Sequence, residues 1–231
     1  MKRFYKVASV GEAEGGYQVL LDDRPVRTPA KAPLLLPGEQ LAAEIAAEWN
    51  AQEEKIIPAS MPFMSLAATG FDRVTPQRDA VIYQIVAYGG SDLVCYRAED
   101  PDDLVIRQVK SWQPLLDWCR ERFGAELAVT AGIMPQPQSE HALAALRRGI
   151  ADHNDLVLSG LYQLTTGFGS LVIALAVLEG RIEAEKGIEY ALLDELFQAE
   201  RWGEDWEAIE RRKAMAADMT NAARFITFCR V

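Results

Sequence analysis

The residues that most often carry chemistry are sparse in this chain. His141 and His153 are the only imidazoles, and they are not four apart on one helical face. No H-E-x-x-H pairing exists for a catalytic zinc. Each histidine reads as a solvated or hydrogen-bonded helix residue. Cys95, Cys119 and Cys229 are odd in number and widely spaced, and no C-x-x-C occurs. That argues against a disulfide framework or a structural zinc, and for buried thiols in a reducing compartment. Gly167-Phe168-Gly169-Ser170 precedes an apolar run. A phosphate-cradling loop needs a preceding strand and a following Lys, and neither is present. The glycines read instead as a helix break. No G-x-S-x-G marks a nucleophilic serine. One polar cluster, Asp92, Tyr96 and Arg97, remains as the seed of an alternative reading, a small-molecule enzyme with its site between a β module and a helical domain.

A different pattern stands out near the carboxyl end. From Glu183 to Glu210 there are ten acids against two bases, Lys186 and Arg201, so the block holds −8 of the net −10. It contains Asp194-Glu195-Leu196-Phe197-Gln198 and Trp202-Gly203-Glu204-Asp205-Trp206. Acids interleaved with tryptophans suit a protein-binding surface, where aromatic anchors are ringed by charge. The plainer alternative is a solvated helix face with the tryptophans turned into the core. Glu195 lies at the edge of the apolar stripe, where a half-buried acid requires a partner.

These residues must be positioned by two kinds of element. Phe4 to Val10 and Tyr17 to Leu21 read as strands joined by a glycine-rich turn, with Asp22-Asp23 turning into Arg24 to Thr28. Leu34 to Leu36 closes the small sheet. From Pro37 the period becomes helical: Leu41, Ile45 and Trp49 share a face. Further helices are expected from Pro62, from a Thr75 cap, over 102–123 with Pro114 inside, over 139–153, 155–165 and 170–179. A single amphipathic helix is expected over 183–201, with Ile188, Leu192, Leu193, Leu196 and Phe197 buried. A last helix runs from about Asp205, with Trp206, Ile209, Met215 and Met219 in its stripe. The expected fold is α+β: a small N-terminal antiparallel β domain over 1–36, followed by a larger all-α domain over 37–231.

Composition agrees with a folded protein: 231 residues, 49% apolar and 25% charged. The net charge of −10 disfavours nucleic acid and anionic lipid as partners. No apolar run approaches the roughly 20 residues of a membrane span. The start, Met1-Lys2-Arg3 into Phe4-Tyr5-Lys6-Val7, is unlike a signal or transit peptide.

Several segments together resemble one family. They are Phe4-Tyr5-Lys6, the run Leu21 to Pro29, Glu48-Trp49-Asn50-Ala51-Gln52, and Met61-Pro62. To these are added Asp92 to Arg97, then Pro101, Leu104, Gln108, Trp112 and Pro114, and the stretch Leu193-Asp194-Glu195 through Gln198 to Trp202-Gly203. In this order they resemble the assembly chaperones that bind the alpha subunit of the F-type ATP synthase head. Two positions depart from that pattern: Gln113 replaces an expected Asp, and Trp206-Glu207-Ala208 replaces W-A-H-D. The resemblance implies no catalysis and no cofactor, and a protein partner, the free alpha subunit. It further implies a chain that is monomeric when free, in the bacterial cytoplasm or the mitochondrial matrix. On that footing Glu195, Glu200 and Asp205 are expected as charged contacts and Trp202 as the anchor. Trp49, Arg97 and Trp112 are expected to serve structure.

Overall fold

The computed structural model describes residues 1–132 and 134–230. The fold is α+β. Strands β1 (Ala8–Ala13), β2 (Gly16–Leu21) and β3 (Arg24–Pro25) form an antiparallel sheet in that order. Ala8 faces Leu21 and Ala13 faces Gly16, so the hairpin turns on Glu14 and Gly15. Asp22 and Asp23 take positive φ, 45° and 67°, in the second turn. Asp and Asn tolerate that region better than other side chains. Leu36 closes the sheet by exchanging backbone hydrogen bonds with Tyr17.

The first strand begins later than its residue types predict. Over 3–7 side chains supplement isolated backbone contacts, Arg3 N to the Glu54 carbonyl and Asp22 N to the Val7 carbonyl, in place of a continuous neighbouring strand. The Arg3 guanidinium donates to the carbonyls of Tyr5, Lys6 and Gln52. The Asp22 carboxylate accepts from the Lys6 and Val7 amides, which holds it below the usual carboxylate range.

The described residues cluster into two compact units. The first comprises 1–78, 154–160 and the carboxyl end from Asn221. Here the sheet packs on α1 (Glu39–Asn50), burying Val19, Leu36, Leu41 and Ile45. Helix α2 (Pro62–Thr69) has its first amides capped by Glu48, whose carboxylate accepts from Phe63 and Met64. After α2 comes a π turn over Gly70–Val74 and a 3₁₀ turn over Thr75–Gln77. Thr75 caps nothing. Its hydroxyl donates to the Gly70 carbonyl and to Asp155.

The second unit comprises 79–153 and 161–220. It holds most of α3 (Arg78–Gly89), β4 (Tyr96–Arg97) paired in parallel with β5 (Thr130–Ala131), α4 (Asp102–Phe123) and α5 (Glu140–Ala151). Helix α6 (Asp155–Phe168) supplies residues to both units. At the core of the second unit lies α7 (Leu171–Leu178), whose Leu171 to Ala176 are completely buried. Gly169, at φ 64°, turns the chain into α7, and Ser170 caps it by accepting from Ile173. The glycine pair is thus a helix junction.

Pro114 lies inside α4 without ending it. The stretch 183–201 is not one helix. It divides at Leu192 into α8 (Ala184–Ala191) and α9 (Leu193–Trp202). Of the expected stripe only Phe197 is buried, while Ile188, Leu192, Leu193 and Leu196 are half-buried. Helix α10 (Trp206–Cys229) completes the chain. All three cysteines are free and buried, and burial pushes each thiol up to about 12.

Candidate functional site

Of the three polar residues that suggested an enzyme site, Asp92 and Arg97 are absorbed by the fold, while Tyr96 is half-buried. Asp92 is fully enclosed. Its carboxylate accepts from Ser170 Oγ at 2.5 Å, Val172 N at 3.0 Å and Val94 N at 3.2 Å. It thereby ties the turn over Leu93–Cys95 to the start of α7. Burial raises its pKa to about 6 even though these bonds favour the charged form. Arg97 is 8% exposed, lies over the Trp112 ring and donates to the Gln108 carbonyl. Both side chains hold elements together.

The acidic block is built on α4. Reading up α4, partners on α8 and α9 descend in number. Arg201 donates to Asp103 (2.6 Å), Arg107 to both oxygens of Glu200 (2.7 and 2.9 Å), Gln108 to Asp194 (2.8 Å), and Trp112 Nε1 to the Tyr190 carbonyl (3.0 Å). Phe197 is buried with the guanidiniums of Arg107 and Arg201 over its ring, at 5.2 and 4.6 Å. Such stacking favours arginine over lysine at both positions.

Glu195 has the partner its half-buried position requires. Its Oε1 accepts from Arg211 at 2.8 Å and Arg212 at 3.0 Å, both on α10. The Arg212 side chain is only 11% exposed and donates also to Glu204 at 2.7 Å. These links fix the angle at which α10 leaves α9, across a turn where Gly203 takes φ 88°. A left-handed glycine ends a helix at little cost.

That turn carries Trp202, Asp205 and Trp206 outward. Trp202 is 77% exposed and Trp206 71%. The expected burial of Trp206 in a core stripe is therefore incorrect. The first half of α10 has an apolar side, with Ile209 and Met215 half-buried, but little of it is enclosed. Asp205 is exposed between the two indoles. The structure thus brings Trp202, Asp205 and Trp206 onto one turn, while on α9 Glu195 is engaged by Arg211 and Arg212 and Glu200 by Arg107. Those arginines were not foreseen. Arg107 lies far from Glu200 in sequence, and no local spacing links them.

The comparisons with known proteins decide the lineage. The family described as ATP12 chaperone protein matches residues 2–120, more than half of the chain. The chain belongs to the ATP12 chaperone family. This is the assembly-chaperone family of the ATP synthase that the sequence resembles. The crystal structure of Atp12 from Paracoccus denitrificans is 43% identical, covers 99% of this chain and 98% of its own, and superposes with a TM-score of 0.93. A point mutant of the same protein is 42% identical with the same TM-score, over 99% of this chain and 98% of that one. Protein atp12, mitochondrial, of Schizosaccharomyces pombe is 22% identical over 214 residues, 87% of this chain and 74% of that protein. Among the described residues no helix is long and apolar enough to cross a membrane.

Proposed function

We propose that this ATP12-family chain binds the free alpha subunit of the ATP synthase head and shields its subunit interface until a neighbouring subunit replaces it. The observation that carries the reading is the pair of bare indoles, Trp202 and Trp206, on one acid-flanked turn. An isolated subunit exposes an interface that its neighbour normally covers, and such apolar surface aggregates. Trp side chains in a charged surround are effective anchors on a surface of that kind. Glu195, Glu200 and Asp205 supply the charged contacts. The Arg107–Glu200 ion pair is largely solvated, and pairs of that kind contribute about 0–1 kcal/mol. Exchanging an internal arginine for a basic residue of the client is therefore inexpensive. Release follows because the permanent interface is the larger one.

On this reading the protein performs no bond-making step, needs no cofactor, and works as a monomer in the bacterial cytoplasm or the mitochondrial matrix. The test is light scattering of the isolated alpha subunit with and without equimolar chaperone, followed by copurification at low and high salt. Suppressed scattering and a salt-weakened complex are expected. Undiminished aggregation, with no complex at low salt, would refute it.

A further inference from the structure

The alpha-subunit reading leaves a second feature unused, in the first compact unit. Two hollows, each of about 500 Å³, share Trp49 and Arg27 in their walls. One has an apolar floor of Met61, Met64 and Ala68. The other is lined by Phe4, Tyr5 and Val26. Each volume lies within the range that accommodates small ligands or a few side chains. Methionines suit such a floor because their flexible thioethers adapt to varied shapes.

Two observations describe the occupant. The Trp49 indole Nε1–H is buried, yet it donates to no acceptor among the described residues. Buried donors are rarely left so, and the ring that bears this one lines both hollows. The second is charge. Each hollow contains an acid, Asp72 in one and Asp22 in the other. Both carboxylates are turned to the chain itself: Asp72 accepts from Thr28 Oγ and Ala30 N, Asp22 from Lys6 N and Val7 N. Arg24 and Arg27 stay exposed at the lining. On a chain of net charge −10 this lining is a local basic site. Apolar floors, a waiting N–H donor and arginines at the wall match a polypeptide segment with apolar side chains, backbone carbonyls and a carboxylate.

We propose that these two hollows form a groove that binds an extended, apolar polypeptide segment carrying an acidic side chain. The groove shares no residue with the Trp202 turn and does not rest on the identity of the client. The probe is fluorescein-labelled acetyl-Leu-Val-Glu-Leu-Val-Gly-amide, with a version in which Lys replaces Glu, followed by fluorescence anisotropy on the full chain. The acidic peptide should bind saturably and at least ten-fold more tightly than its Lys counterpart. Arg27→Glu should reverse that preference. Trp49→Phe, which keeps a smaller ring against Tyr5 and removes the donor, should weaken binding several-fold. Ser65 lines the first hollow from an exposed position on α2, so Ser65→Trp should fill the groove and abolish binding while leaving the circular dichroism unchanged. Binding that persists in Ser65→Trp, or that is equal for both peptides, overturns the proposal. So does concentration-dependent dimerisation lost in Ser65→Trp without any peptide binding, which would assign the groove to a second copy of this chain.

Discussion

Asp92 provides a stability test that needs no partner. It is completely buried, and its pKa stands at about 6 against an ordinary 3.8. Each pKa unit corresponds to about 1.4 kcal/mol, so the full effect is about 3 kcal/mol. The folded chain holds this proton more tightly than the unfolded chain. The contribution of Asp92 to stability is therefore greatest below pH 3.8, falls as pH rises through about 6, and is level above that. Between pH 5 and pH 8 the linkage relation places about 1 kcal/mol of that loss. Asp92→Asn removes the titration and keeps the shape, but its amide nitrogen now meets the Val172 N–H. That donor clash costs about 1–3 kcal/mol at every pH. The variant should be less stable than the parent at pH 5, and the gap should narrow by about 1 kcal/mol at pH 8. Urea unfolding at several pH values, followed by circular dichroism, measures both quantities. Parallel stability curves for parent and variant would refute the assignment of a buried, titrating carboxylate.

Trp202→Ala and Trp206→Ala should each leave stability within about 0.5 kcal/mol, because both rings are already solvated, while weakening alpha-subunit binding by about 2 kcal/mol, roughly thirty-fold. Calorimetric titration and thermal melts separate the two effects. Glu195→Lys should do more than alter a surface: it places a third cation beside Arg211 and Arg212. A loss of about 1–2 kcal/mol is expected from the disrupted charge network, visible as a melting temperature lower by roughly 2–8 °C. Gly16→Ala drives a methyl group into the Leu36 backbone carbonyl, which no side-chain rotation relieves. It should cost about 2–4 kcal/mol through strain and the weakened Tyr17–Leu36 pair, read as a lower urea midpoint. Glu48→Gln should blunt the stability loss between about pH 4.5 and 7, since burial pushes that carboxyl up to about 7; an unchanged pH profile would count against a buried acid there.

The sequence disclosed the elements whose local chemistry agrees with their surroundings. Helix α1 is legible because Leu41 and Ile45 share a face and both are buried. Its long counterpart α4 is legible because its apolar positions continue past Pro114. Misreadings arise where side chains from afar take over a local task. Residues 3–7 have strand-forming types, but Arg3 and Asp22 supply the backbone partners that a strand would. The break at Leu192 carries neither glycine nor proline, so nothing local announces it. Trp206 shows a further limit. Periodicity identifies which side of α10 is apolar, but not whether anything covers it. In the candidate site, the oddly placed acid Glu195 correctly implied a partner. The identity of Arg211 and Arg212 depended on how α10 folds back, which spacing alone does not encode.

The two bare indoles also affect how the protein behaves alone. Aromatic rings left open to water attract other copies of the same chain as readily as a client. The surrounding carboxylates oppose this, because two such turns brought face to face repel each other. Added salt or acid removes that repulsion while the rings stay apolar. A solution dispersed at neutral pH and low salt should therefore grow cohesive as salt is added or pH is lowered, so the charge collar also opposes self-association of an idle molecule.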